Sequence, residues 1–233
     1  MRKTILLTAL TALLLLSSCA SEPASLPQGR MHTEFSKEHV EEFLSVYGTG
    51  VWDGLLYGME YNAETCFNVT PEAIARATDV EIFKFGNSCV SAALIDGAVY
   101  PICRDFGGYG FFNAVPWDYD ADGTTDLLIA SSWGSGVHRS ELSVFNVKTK
   151  ESILICSSLD LDAREEGDGG SDWFVAAQTP SAADRSEAPV SYAVYSGAVE
   201  VGDHLADLSY TAKALVGSVV SEDGGPVFHP ARH

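Results

Sequence analysis

The sequence predicts an α+β chain with β in the majority. Two short stretches near the start carry helical spacing. Runs of strand length, alternating or wholly apolar, recur from about residue 80, and turn-forming pairs punctuate them. The chain has 233 residues, of which 46% are apolar, enough for one ordinary core. It reads as a single β-rich domain over 35–233, with an N-terminal leader and tether before it.

The first helical stretch is SKEHVEEFLSVYG. Ser36 offers an N-cap, Val40, Phe43, Leu44 and Tyr47 fall at helical spacing, and Gly48 stops the run. A second, shorter helix is predicted in VTPEAIARATDV, with Thr70 as cap and Pro71 in the first turn. VEIFKF alternates like a strand, and CVSAALIDGAVYPIC reads as two strands about an Asp96-Gly97 turn. TDLLIASS and SELSVFNVKTKESILICSS supply three more strands. Leu159 to Asp172 is an acidic loop containing glycine, and the last third again reads as strands joined by turns.

Hairpin register bears on two of the four cysteines in this domain, Cys66, Cys89, Cys103 and Cys156. A two-residue turn at Asp96-Gly97 pairs Cys89 with Arg104. A three-residue turn with a glycine bulge sets Cys89 directly opposite Cys103 and permits a disulfide between them. Bridge and buried free thiols both remain open. No CxxC pair occurs, which excludes thioredoxin chemistry and zinc-ribbon sites.

The amino terminus, MRKTILLTALTALLLLSSCAS, has a basic start, an apolar run and then small residues, the pattern of a secretory signal over 1–18. Its ending LSSC resembles the bacterial lipobox. That resemblance implies lipidation of Cys19, cleavage before it, and a membrane partner held through the lipid. Residues 19–34 then read as a polar tether that lifts the domain off the bilayer, or as a plain terminal loop. Cleavage changes the formal charge of −18 by removing Arg2 and Lys3, leaving 12 basic against 32 acidic residues. Such a surface repels phosphate backbones, so no nucleic-acid partner is expected.

The most chemically specific stretch is WDYDADGTTDLLIA. Asp118, Asp120 and Asp122 alternate, Gly123 permits a sharp turn, and Asp126 precedes an apolar run. Carboxylates converging at alternate positions suit calcium, which takes roughly six to eight oxygen ligands. The EF-hand reading fails. Its twelfth position is Ile129, and Pro116 sits where a helix would enter. The pattern resembles the calcium loop of FG-GAP repeats, known from integrin-type propellers. The resemblance covers residues 107–136 and implies a structural ion in a turn between strands. Asp118, Asp120, Asp122 and Asp126 would be its side-chain ligands and Thr124 a backbone one. No second copy occurs, so one blade-like unit in a β-rich domain is expected and a complete propeller is not. The order EIFKFGNSCVSAALIDGAVYPIC, FGGYG, aspartate loop, SWGSGVHRS also resembles a group of bacterial secreted or lipid-anchored proteins. That likeness implies architecture only.

Two glycine-rich stretches flank the loop. FGGYG reads as a tight turn before a strand, because a phosphate loop would need a following Lys-Ser/Thr. In SWGSGVHRS, Trp133, His138 and Arg139 could line a ligand rim. Alternatively, Trp133 covers the core edge and Arg139 pairs with a carboxylate. No G-x-S-x-G, H-E-x-x-H or Walker motif occurs.

The expectation is a lipid-anchored extracytoplasmic domain in a bacterial envelope. It would hold one structural calcium ion and bind an unidentified protein or glycan without catalysis. The alternative is a secreted hydrolase of envelope polymers, with His138 beside the ion and Ser135 or Ser140 as nucleophile.

Overall fold

The computed structural model describes residues 28–30, 35–48, 50–52, 59–159, 172–177 and 190–231. The leader, Cys19 and most of the 159–172 loop lie outside the described residues. In chain order the elements begin with β1 (Gln28–Arg30), α1 (Val40–Tyr47), β2 (Gly50–Trp52), β3 (Met59–Tyr61) and β4 (Cys66–Asn68). Next come α2 (Glu72–Ala77), β5 (Glu81–Phe85), β6 (Ser91–Ile95), β7 (Ala98–Pro101), β8 (Gly110–Trp117) and β9 (Asp126–Trp133). The chain continues through β10 (Arg139–Asn146), β11 (Glu151–Ser157), β12 (Asp172–Ala177), β13 (Tyr192–Val201), β14 (Leu208–Glu222) and β15 (Gly225–Pro230).

These strands form three successive antiparallel meanders: β4 to β7, β8 to β11, and β12 to β15. β1 joins the third sheet on the edge of β14 that β15 also uses. Residues 28–30, which the sequence places in the tether, are therefore sheet. β2 and β3 pair separately. Among the described residues no barrel closes, and no helix is long and apolar enough to cross a membrane.

Alternation in the middle sheet explains how the layers stack. Along β9, Leu127 and Ile129 face a cluster shared with Ile82, Ala93 and Ile95 of the first sheet. Leu128 and Ala130 face Trp173, Phe174 and Val194 of the third. Both faces of β9 are covered, so its apolar run is continuous rather than alternating. Beyond the first sheet, α1 closes the stack with Val40, Phe43 and Leu44 against Phe83, Phe85 and Leu94. Polar groups also bridge layers. The Asn113 side chain donates to the Val175 carbonyl at 2.8 Å and accepts its amide at 3.0 Å, acting as a strand edge for β12.

Several local expectations are corrected. Ser36 does not cap α1. The helix starts after His39, and Ser36 instead pairs with Asn68 in an isolated bridge. Thr70 does not cap α2, because its hydroxyl is engaged with Asn68 Oδ1 at 2.6 Å and the Ile82 amide at 2.8 Å. Gly48 does end α1, its amide reaching the Leu44 carbonyl at 2.8 Å. The β6–β7 hairpin takes the two-residue register, Ile95 opposite Ala98 and Ala92 opposite Pro101. That register does not set Cys89 opposite Cys103, and all four described cysteines are free. VEIFKF is a strand, but Lys84 is fully buried, donating to the Phe111 carbonyl at 2.9 Å.

Candidate metal centre and the opposite rim

The aspartate loop joins β8 to β9 and is closed by the Trp117–Asp126 pair, so it is a turn between strands. Pro116 fits because β8 is an edge strand that needs no second ladder of donors. Two left-handed residues fold the loop back, Gly123 at φ 83° and Ala121 at φ 57°. Side chains then stitch it. Asp118 accepts the amides of Asp122 and Gly123, each at 3.1 Å, and Asp122 accepts the Thr124 amide at 2.7 Å.

The result is three carboxylates, Asp118, Asp120 and Asp122, each offering an oxygen within 4.8 Å of the others. Asp126 lies outside that group at the root of the loop, fully buried. Its Oδ1 accepts the Val147 amide at 2.8 Å, while Oδ2 is buried with no partner. Burial first, and then the charges of Asp120, Asp122 and Asp118, raise its carboxyl to about 6. A buried anionic oxygen without a donor, beside three more carboxylates, is a cost that a bound cation would remove. The donor set is all oxygen, which fits a hard cation such as calcium rather than zinc or copper. Thr124 contributes an amide to the stitching.

Sequence reasoning missed two partners of this loop. Lys148 Nζ sits 2.9 Å from Asp122 Oδ2 and holds that carboxyl down at about 2. The Val147 amide anchors Asp126. Both belong to the β10–β11 turn. In an antiparallel meander, alternate turns share an end of the sheet, so strand order alone points to this meeting.

The same rule separates the second candidate site. Trp133, His138 and Arg139 lie at the β9–β10 turn, at the opposite end of β9 from Asp126, about 23 Å away at the ordinary strand rise. Glycine backbones pack there. The Gly134 amide donates to the Phe106 carbonyl at 2.7 Å, and a Cβ on Gly107 would meet Gly134 O at 2.5 Å. The structure thus brings FGGYG and SWGSG together, with Arg104 as a further member that the sequence did not single out. Arg104 and Arg139 lie 4.6 and 5.4 Å from the Trp133 ring. Arg104, not Arg139, makes the ion pair, with Glu141 at 3.0 Å. Arg139 donates to the Val137 carbonyl at 3.3 Å.

Among the described residues, no hydrogen bond joins His138 to Ser135 or Ser140 at this rim. The His138 ring packs edge-on against Tyr109, centroids 4.4 Å apart, and Ser140 Oγ is buried, accepting the Trp173 amide at 3.2 Å. His138 is a strand's length from the carboxylates, so it cannot move a proton for water at an ion there. Compared with protein families, curated proteins and solved structures, the chain finds no match.

Proposed function

We propose that this chain is a lipid-anchored extracytoplasmic binding module whose β8–β9 turn is pinned by one structural calcium ion. The observation that carries the ion is Asp126 Oδ2, buried without a partner beside three clustered carboxylates. Asp118, Asp120, Asp122 and Asp126 would hold the ion through oxygen, with Thr124 supplying a backbone ligand. Four carboxylates fill much of a calcium shell and leave little room for reacting water, so the ion's role is to neutralise and shape the turn. The lipid attachment rests on LSSC and the signal before it. The binding role rests on the rim, where Arg104 and Arg139 flank the half-buried Trp133 ring and Phe106 and Val137 are exposed.

Thermal unfolding in millimolar calcium and in chelator tests the ion. Calcium at about 100 times its dissociation constant adds about 2.7 kcal/mol, a rise of roughly 5–10 °C for a chain this size. Asp120→Ala abolishes the rise. An unchanged midpoint in the parent chain removes calcium from the reading.

A further inference from the structure

We propose that the β9–β10 turn and the 103–108 loop form the face by which the domain rests on an anionic bilayer, an inference that depends on lipidation of Cys19. Eight residues separate Cys19 from Gln28, the first residue of β1. Fully extended, they reach at most about 30 Å. A domain tethered that closely turns one face to the membrane, and physical chemistry selects which.

The chain carries a formal charge of −18, so most of its surface is repelled by lipid phosphates. At the aspartate-loop end, four carboxylates outnumber the charges of Lys148 and of the one proposed calcium ion. The other end of the same sheet is formally neutral, two arginines against the two carboxylates of Asp105 and Glu141. Arg104 and Arg139 converge on Trp133, and Arg139 makes no ion pair with a carboxylate among the described residues. Its guanidinium is available for a phosphate oxygen. Asp105 and Glu141 also lie here, and Glu141 is already engaged with Arg104.

Apolar side chains stand at the same place. Phe106 is 52% exposed and Val137 58%, and Phe106 is the only exposed aromatic among the described residues. They are held together by the Gly134–Phe106 hydrogen bond and the Gly107–Gly134 bridge. Arginine at the phosphate level with an aromatic and an aliphatic tip below it matches the headgroup–acyl boundary of a bilayer.

The test uses the lipidated full chain on vesicles of phosphatidylcholine, with or without phosphatidylglycerol, and brominated lipid as quencher. A fluorophore is placed at Ser135→Cys on the rim, or at Ala121→Cys on the aspartate loop. Both residues are exposed. With phosphatidylglycerol present, the rim probe is quenched at least about threefold more than the loop probe. Adding Arg139→Gln or Phe106→Ser to the rim reporter reduces that excess by about half or more. Flotation with equal quenching at both positions, or stronger quenching at Ala121, overturns the docking face and leaves the anchor standing. Failure to float overturns the anchor, and the docking face with it. A response of the rim probe to polygalacturonate but not to vesicles assigns the face to an acidic glycan and overturns the proposal.

Discussion

The Val147 amide holds one oxygen of Asp126 at 2.8 Å and leaves the other buried without a partner. Asp126 therefore destabilises the ion-free fold while equipping it for an ion, and the two effects separate by mutation. Its folded carboxyl value, about 6, lies above the ordinary 3.8. In that window the folded state holds the proton more tightly, so the Asp126 contribution to ion-free stability is most favourable below about 4 and is lost as pH rises through 6. Asp126→Asn removes this slope. In chelator at pH 7 it raises stability by on the order of 1–3 kcal/mol, and it weakens calcium binding at least about tenfold. Urea melts and calorimetric titration measure the two. An Asn variant that binds calcium like the parent excludes Asp126 as a ligand.

Ala121 carries a left-handed backbone without being glycine, at φ 57°. Ala121→Gly relieves that crowding and raises stability by about 0.5–1 kcal/mol net of chain entropy. Gly123→Ala, at φ 83° with open space around it, costs about 1 kcal/mol. Chemical denaturation of both variants in chelator reads this contrast without interference from the ion.

Gly110 is a harsher case. A Cβ there would meet the Cys89 carbonyl oxygen at 1.9 Å, with φ at +68°. The carbonyl is backbone and the Cβ position is fixed by the backbone, so neither can swing away and Gly110→Ala costs roughly 3 kcal/mol or more. Gly97→Ala meets nothing within 4 Å and costs about 1 kcal/mol by φ alone. Urea midpoints of the pair separate the clash from the conformational effect.

Lys84 gives a pH dependence of opposite sign to Asp126. Burial lowers its amine from 10.5 to about 7, with Cys103 and Cys89 acting in the other direction. Between about 7 and 10.5 the unfolded chain binds the extra proton, so stability rises with pH across that window. Lys84→Met removes the rise. The stability of the parent relative to the variant is lowest below pH 7 and improves by on the order of a few kcal/mol toward pH 10. A difference that stays flat with pH would falsify the lowered value of the buried amine.

Lys84 also marks where sequence reading stopped. In VEIFKF the lysine shares a face with Val80 and Ile82 and Glu81 shares the other with Phe83 and Phe85, so each face carries one charge and neither reads as wholly interior. Only the neighbouring layer makes both faces of β5 interior, and pairing between separate sheets leaves no local signature. The aspartate turn was legible for the contrary reason, since its four aspartates lie within nine residues and its geometry is local. The β9 and β10–β11 strands and the Asp96-Gly97 hairpin were legible on the same ground. The expected caps fail for tertiary reasons: the Ser36 backbone pairs with Asn68 of β4, and the Thr70 hydroxyl is engaged with Asn68 and the Ile82 amide of β5. Arg104 escaped notice because a backbone contact between two glycine turns brings it to Trp133.

The middle meander touches both of its neighbours, through Leu127 and Ile129 on one face and Leu128 and Ala130 on the other. Peeling either outer sheet away exposes apolar surface on the middle one, so partial opening is penalised and the three sheets come apart together. An ion at the root of β9 then acts at the shared wall rather than on a peripheral flap. On the proposed reading of a calcium-holding domain outside the cell, where proteases attack whatever opens, ambient calcium would set the working lifetime of the entire molecule.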